Sequence, residues 1–127
     1  MTWTLQDSAV NPYLSACRAA AQGSDFFRGF KTNPAYTHVL EHVSREEGQK
    51  YLDEIEIDYE DKLDEIKEND RYGTPMTCSY DGIGFISPTT LRYLKNTSDI
   101  VKKFGTSFNS IVEIGGGYGG LCKVMSS

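Results

Sequence analysis

The sequence predicts a mostly helical amino-terminal region of about four helices with one loop-rich segment, leading into the first strand and opening helix of an α/β sheet. Three observations carry this expectation. A polar capping residue is followed by proline three times, at Asn11-Pro12, Asn33-Pro34 and Ser87-Pro88, which is how helices begin. Apolar residues recur at helical spacing over much of residues 13–67 and 88–104. Near the carboxyl end, Ile111-Val112-Glu113-Ile114 runs into Gly115-Gly116-Gly117-Tyr118-Gly119-Gly120 and then Leu121–Met125, the order strand, tight turn, helix.

Taken in order, residues 13–22 are alanine-rich, with Leu14, Cys17 and Ala21 on one face, and Gly23-Ser24 closes that helix. Phe26, Phe27 and Phe30 crowd a short stretch and read as core or interface anchors. A second helix is expected from Pro34, with Tyr36, Val39, Leu40 and Val43 as its apolar stripe. His38 and His42 on that helix, with Glu41, spell His-x-x-Glu-His, a zinc-protease pattern. Both histidines point away from the stripe, and no third ligand is singled out, so no metal is expected. The longest helical pattern runs from Glu46 to about Lys67 through Leu52, Ile55, Tyr59, Leu63 and Ile66. Residues 69–86, with Gly73, Pro75, Gly82 and Gly84, are turn chemistry and predict a short hairpin or a lid-like loop. The last long helix is expected from Pro88 to Phe104, stopped by Gly105.

The 127 residues are 39% hydrophobic and 24% charged, a globular balance large enough for a core. The net charge of −5 is uneven: Glu46–Asp70 holds twelve acids against Lys50, Lys62 and Lys67, leaving ten bases and six acids elsewhere. The acids surround an apolar stripe and read as a solvated helix face. No basic stripe with interleaved aromatics stands out, which argues against nucleic acid. Met1–Asp7 has neither the charge nor the apolar core of a secretory signal, and no apolar run reaches membrane-spanning length. Cys17, Cys78 and Cys122 are odd in number and widely spaced, which fits reduced thiols and a cytoplasmic protein.

Two ligands compete for the glycine turn. Gly115, Gly117 and Gly120 satisfy the dinucleotide spacing Gly-x-Gly-x-x-Gly, whereas Glu113, Gly115, Gly117 and Gly119 satisfy acidic-x-Gly-x-Gly-x-Gly. Glu113 decides between them. A strand buried on both faces wants an apolar side chain there, and a carboxylate is costly unless it holds a cationic or N–H-rich ligand. S-adenosylmethionine, with its ammonium and sulfonium, is such a ligand.

Glu113–Gly120 resembles the first motif of class I S-adenosylmethionine-dependent methyltransferases. Phe30–Tyr36, Glu41–Ser44, Asn69–Pro75 and above all Ile83–Tyr93 resemble, in order, the blocks of the putative sugar O-methyltransferase family, over most of the chain from about Phe26. The resemblance covers that family's front half. It implies a helical accessory or substrate-side region over 1–105, with its loop at 69–86, and the incomplete start of a Rossmann-like cofactor domain over 106–127. It also implies cofactor-binding roles for Glu113, Gly115, Gly116, Gly117, Tyr118 and Gly119. Thr90, Arg92 and Tyr93, from the first turn of the preceding helix, are implied as partners of the cofactor's carboxylate, which a guanidinium fork suits.

Methyl transfer from a sulfonium is an in-line displacement, requiring a bound cofactor, an aligned acceptor hydroxyl and help with its deprotonation. Only the first task is legible in these residues; a catalytic base is not, and the chain alone is expected to turn nothing over. The implied acceptor is a sugar or glycoconjugate, with homo-oligomerisation an option and no membrane partner. Two other readings stand: an NAD(P)-dependent oxidoreductase sharing the glycine turn, and a non-catalytic helical interaction module.

Overall fold

A computed structural model describes residues 11–127; the reading of Met1–Asp7 lies outside the described residues. The chain divides into two units. One holds the described residues up to His42 together with Arg71–Met76, and the other holds Val43–Asp70 and Thr77–Ser127.

In the first unit, α1 (Pro12–Gln22) begins where the Asn11 side chain accepts a hydrogen bond from the Leu14 N–H at 3.2 Å. Helix α2 (Ser24–Arg28) and a 3₁₀ turn (Phe30–Thr32) follow. Then comes α3 (Pro34–Thr37), capped by Asn33. Tyr36 is the centre of an aromatic cluster, stacked on Tyr13 at 5.7 Å and edge-on to Phe30 at 5.0 Å. Phe30 is buried as expected of an anchor, but Phe26 is 65% exposed. The segment Arg71–Met76 laces into this unit: the Lys31 N–H donates to Gly73 O at 2.9 Å, and the Thr74 hydroxyl donates to Arg28 O at 2.7 Å.

The expected second helix is one turn long. Val39 is exposed, and Ser44 starts a new helix. Its Oγ accepts from the Glu47 N–H at 3.1 Å and its own N–H donates to Glu47 Oε2 at 2.8 Å, a capping box whose extended first residue cannot lie inside a continuous helix. That new helix, α4 (Arg45–Asp53), opens the second unit. The single long helix expected over Glu46–Lys67 is therefore two, α4 and the short α5 (Leu63–Lys67), joined by an irregular stretch and a 3₁₀ turn at Glu60–Lys62. Between them burial alternates, with Ile55, Ile57 and Tyr59 turned inward and Glu56 and Asp58 outward. The stretch is fastened by the Glu56 N–H donating to the buried Ser98 Oγ at 3.0 Å. Glu54 and Glu56 form exposed ion pairs with Lys95 and Lys102, so these two acids are not simply solvated.

The loop-rich segment forms the hairpin that was one of its two expected outcomes. Strands β1 (Cys78–Tyr80) and β2 (Gly84–Ile86) pair antiparallel, with Cys78 opposite Ile86 and Tyr80 opposite Gly84. Helix α6 (Pro88–Phe104) begins at the Ser87 cap and stops at Gly105, as expected. Helix α7 (Gly120–Met125) packs against it. The core of the unit is Ile66, Tyr80, Ile86, Leu91, Tyr93, Leu94 and Val124.

Tyr80 joins the hairpin to α4: its hydroxyl donates to Arg45 O at 3.0 Å and leaves no room for a side chain at Gly48. Burial pushes its phenol up to about 12, helped by the neighbouring Cys78 and Glu46 and opposed by Arg45. The folded value lies above the ordinary 10.0, so this contribution to stability is complete below pH 10 and is lost as pH rises towards 12. Urea unfolding followed at pH 8, 10 and 11 should show stability falling across the last interval, and less steeply for Tyr80→Phe.

Candidate functional site

The glycine turn lies in the second unit just before α7, and its backbone explains its composition. Gly115, Gly117 and Gly119 have φ of 71°, 57° and 89°, the left-handed region that L side chains avoid. The Gly119 N–H closes the turn on Gly116 O at 2.9 Å, and Gly119 caps α7. Around Gly115 and Gly119 a Cβ would meet nothing within 4 Å, so these positions face open space. Gly120 differs: a Cβ there would lie 2.5 Å from the Tyr118 hydroxyl and 2.7 Å from the Tyr93 ring, so its need for glycine is close packing.

The preceding segment departs from expectation. Ile111–Ile114 is irregular, with Val112 85% and Ile114 97% exposed. A strand needs a neighbour to take its backbone hydrogen bonds, and among the described residues only β1 and β2 pair. Half-buried Glu113 folds back over the turn, where its Oε2 accepts from the Cys122 thiol at 3.0 Å. That hydrogen bond, with lesser help from desolvation and the carboxylate's charge, raises the Cys122 pKa and keeps it a thiol. Beside it, Phe108, Ser110, Ile111, Cys122, Met125 and Ser126 line an open cavity of about 300 Å³.

Of the predicted residues of α6, Tyr93 meets this turn directly. Tyr93 is buried against Gly120, and Arg92, half-buried, holds its guanidinium 5.5 Å from the Tyr93 ring centre. Thr90 is buried and its hydroxyl donates to Asp70 Oδ1 at 2.6 Å, so it is turned into the frame instead of towards a ligand.

Two residues that the sequence offered as turn formers and as the start of the Asn69–Pro75 block, without a site role, hold the arrangement. Asp70 takes the Ser87 N–H on Oδ2 at 2.7 Å as well as the Thr90 hydroxyl. Asn69, 1% exposed, donates through Nδ2 to Thr90 Oγ1 and to the Tyr118 hydroxyl, each at 3.0 Å. No local signal marks them, because their partners Ser87, Thr90 and Tyr118 lie 17 to 49 residues further along the chain.

His38 and His42 are both exposed, and among the described residues no group of three His, Cys, Asp or Glu side chains comes together as a metal site would need. Also among the described residues, no helix is long and apolar enough to cross a membrane. No protein-family model, curated protein or solved structure matches the chain.

Proposed function

We propose that this chain carries the S-adenosylmethionine turn of an O-methyltransferase acting on a sugar hydroxyl, as the front part of a Rossmann-like enzyme of the cytoplasm. The observation that carries the reading is the turn itself. Its three left-handed glycines are interleaved with an acidic residue before them and a buried tyrosine of α6 behind them. The residues fit such a cofactor: open space lies beside Gly115 and Gly119, Glu113 offers an acceptor, and Arg92 holds its guanidinium 5.5 Å from the centre of the Tyr93 ring that packs on the turn. Bound there, the cofactor would supply the activated methyl group; the chain's own residues hold and orient it. The apolar side chains of Ile111, Val112 and Ile114, exposed here, suit a strand covered on both faces in a parallel sheet. Residues 106–127 would then begin the cofactor domain and residues 1–105 serve the substrate side.

The sugar acceptor rests on the resemblance of Ile83–Tyr93 and the other upstream blocks. Homo-oligomerisation, and the absence of nucleic-acid and membrane partners, belong to the same proposal. Glu113 separates this reading from a nicotinamide-dependent one, since a carboxylate there opposes a pyrophosphate.

Calorimetric titration of the full-length gene product with S-adenosylhomocysteine and with NAD tests it. S-adenosylhomocysteine should bind and NAD should not, and Arg92→Ala should weaken binding about tenfold, the scale of one charge-assisted contact. Binding of NAD alone would replace the methyltransferase reading with the oxidoreductase one. Binding of neither would favour an interaction module.

A further inference from the structure

The Asn69 amide touches both parts of the candidate site at once. Its Nδ2 reaches Thr90 on α6 and Tyr118 in the glycine turn, each at 3.0 Å, from a position 1% exposed. An amide NH₂ has two hydrogens, and these two contacts use both. The direction of the remaining bonds then follows. Thr90 Oγ1 accepts from Asn69 and so turns its own proton to Asp70 Oδ1 at 2.6 Å. Asp70 Oδ2 is engaged by the Ser87 N–H at 2.7 Å.

We propose that Asn69 is a positioning residue that latches the glycine turn to α6 through the Tyr118 hydroxyl, with Asp70 fixing the direction of the latch. The proposal rests on the reading of this turn as a cofactor site. It has a consequence for specificity. Thr90 has its proton committed, and Asp70 places a negative charge at the start of α6, so a ligand carboxylate is not received there. Of the three α6 residues expected to meet it, Arg92 carries the charge that would bind it. The same geometry makes the conformation of Gly115–Gly119 depend on a residue some fifty positions earlier, since Asn69 and Tyr118 are 49 apart in sequence.

Amide hydrogen exchange on the chain tests the latch, using Tyr118→Phe, Asn69→Ala and the double variant. Tyr118→Phe removes a single hydroxyl from a half-buried ring, so it keeps the fold even if Asn69→Ala does not. Amides of residues 115–120 should exchange at least about fivefold faster in each single variant, the scale of one net hydrogen bond, and no faster in the double variant than in Asn69→Ala, which has already removed the bond that Tyr118→Phe breaks. Amides of α4 should be unmoved. Unchanged exchange in Tyr118→Phe, or additive effects in the double variant, would overturn the latch. Titration of the full-length product with S-adenosylhomocysteine keeps the two proposals apart. Failure of the unsubstituted protein to bind removes the methyltransferase reading and with it the positioning role, while the exchange result still decides the latch. Wild-type affinity in Tyr118→Phe despite a loosened turn overturns the positioning role alone.

Discussion

Asp70→Ala should cost about 3 kcal/mol of unfolding free energy, because hydrogen bonds to a charged acceptor are worth about 1.5–3 kcal/mol each and two such bonds tie the start of α6 to this carboxylate. One comes from the Ser87 N–H at 2.7 Å and the other from the Thr90 hydroxyl at 2.6 Å. Ser87 and Thr90 are both 1% exposed, so water cannot readily replace the lost acceptor. The loss falls on the first turn of α6, whose Leu91 and Leu94 are in the core of the second unit. Chemical denaturation is the direct measurement. Asp70→Asn should be milder, since an amide oxygen still accepts one of the two bonds, and an Asn variant as damaging as Ala would show that the charge itself is what matters. A loss below about 0.5 kcal/mol for Asp70→Ala, the ordinary range of surface substitutions, would mean that the start of α6 does not depend on this carboxylate.

How much of this was legible in the sequence varies with the range of the interaction. Helices α1 and α6 were readable to within a residue, because a capping side chain, a first-turn proline and a closing glycine act over four residues or fewer. Local rules also suit the left-handed glycines of the turn, since tolerance of positive φ belongs to glycine itself. The errors arose where two local signals competed. The stripe Tyr36–Val43 predicts a longer helix than the Pro34–Thr37 turn that forms, and the next helix starts from the Ser44-x-x-Glu47 capping box. Ile55 and Tyr59 fit a period of 3.6, while Ile55, Ile57 and Tyr59 together fit a period of two, and the deciding contact, Glu56 with Ser98, is 42 residues away. Of the candidate site, Arg92, Tyr93, Tyr118 and the glycines were named from the sequence, whereas Asn69 was not. A buried asparagine and a turn asparagine are written with the same letter, and only the long-range placement of Thr90 and Tyr118 distinguishes them. The strand expected over Ile111–Ile114 shows the limit of pattern alone, since a strand is defined by its neighbour.

Gly120→Ala should lower stability by about 2–3 kcal/mol and abolish tight S-adenosylhomocysteine binding by the full-length product, the upper range for overpacking at a site that cannot give way. The added methyl would lie 2.7 Å from Cε2 of Tyr93 and 2.5 Å from the Tyr118 hydroxyl. Neither is free to retreat. Tyr93 is buried among the core residues of α6, and the Tyr118 hydroxyl is hydrogen-bonded by Asn69. Backbone strain is not the cause, since Gly120 is the first residue of α7 and is not among the glycines of positive φ. That distinction gives the prediction its control. Gly119→Ala places its methyl in open space but at φ 89°, so it should disturb the turn through the backbone and leave the Tyr93 packing intact. Tyr93 ring signals by NMR should therefore move in Gly120→Ala and stay in place in Gly119→Ala. If both variants moved them equally, the turn and α6 would be coupled through the backbone, and the close approach of α7 to Tyr93 would not be what demands glycine at position 120.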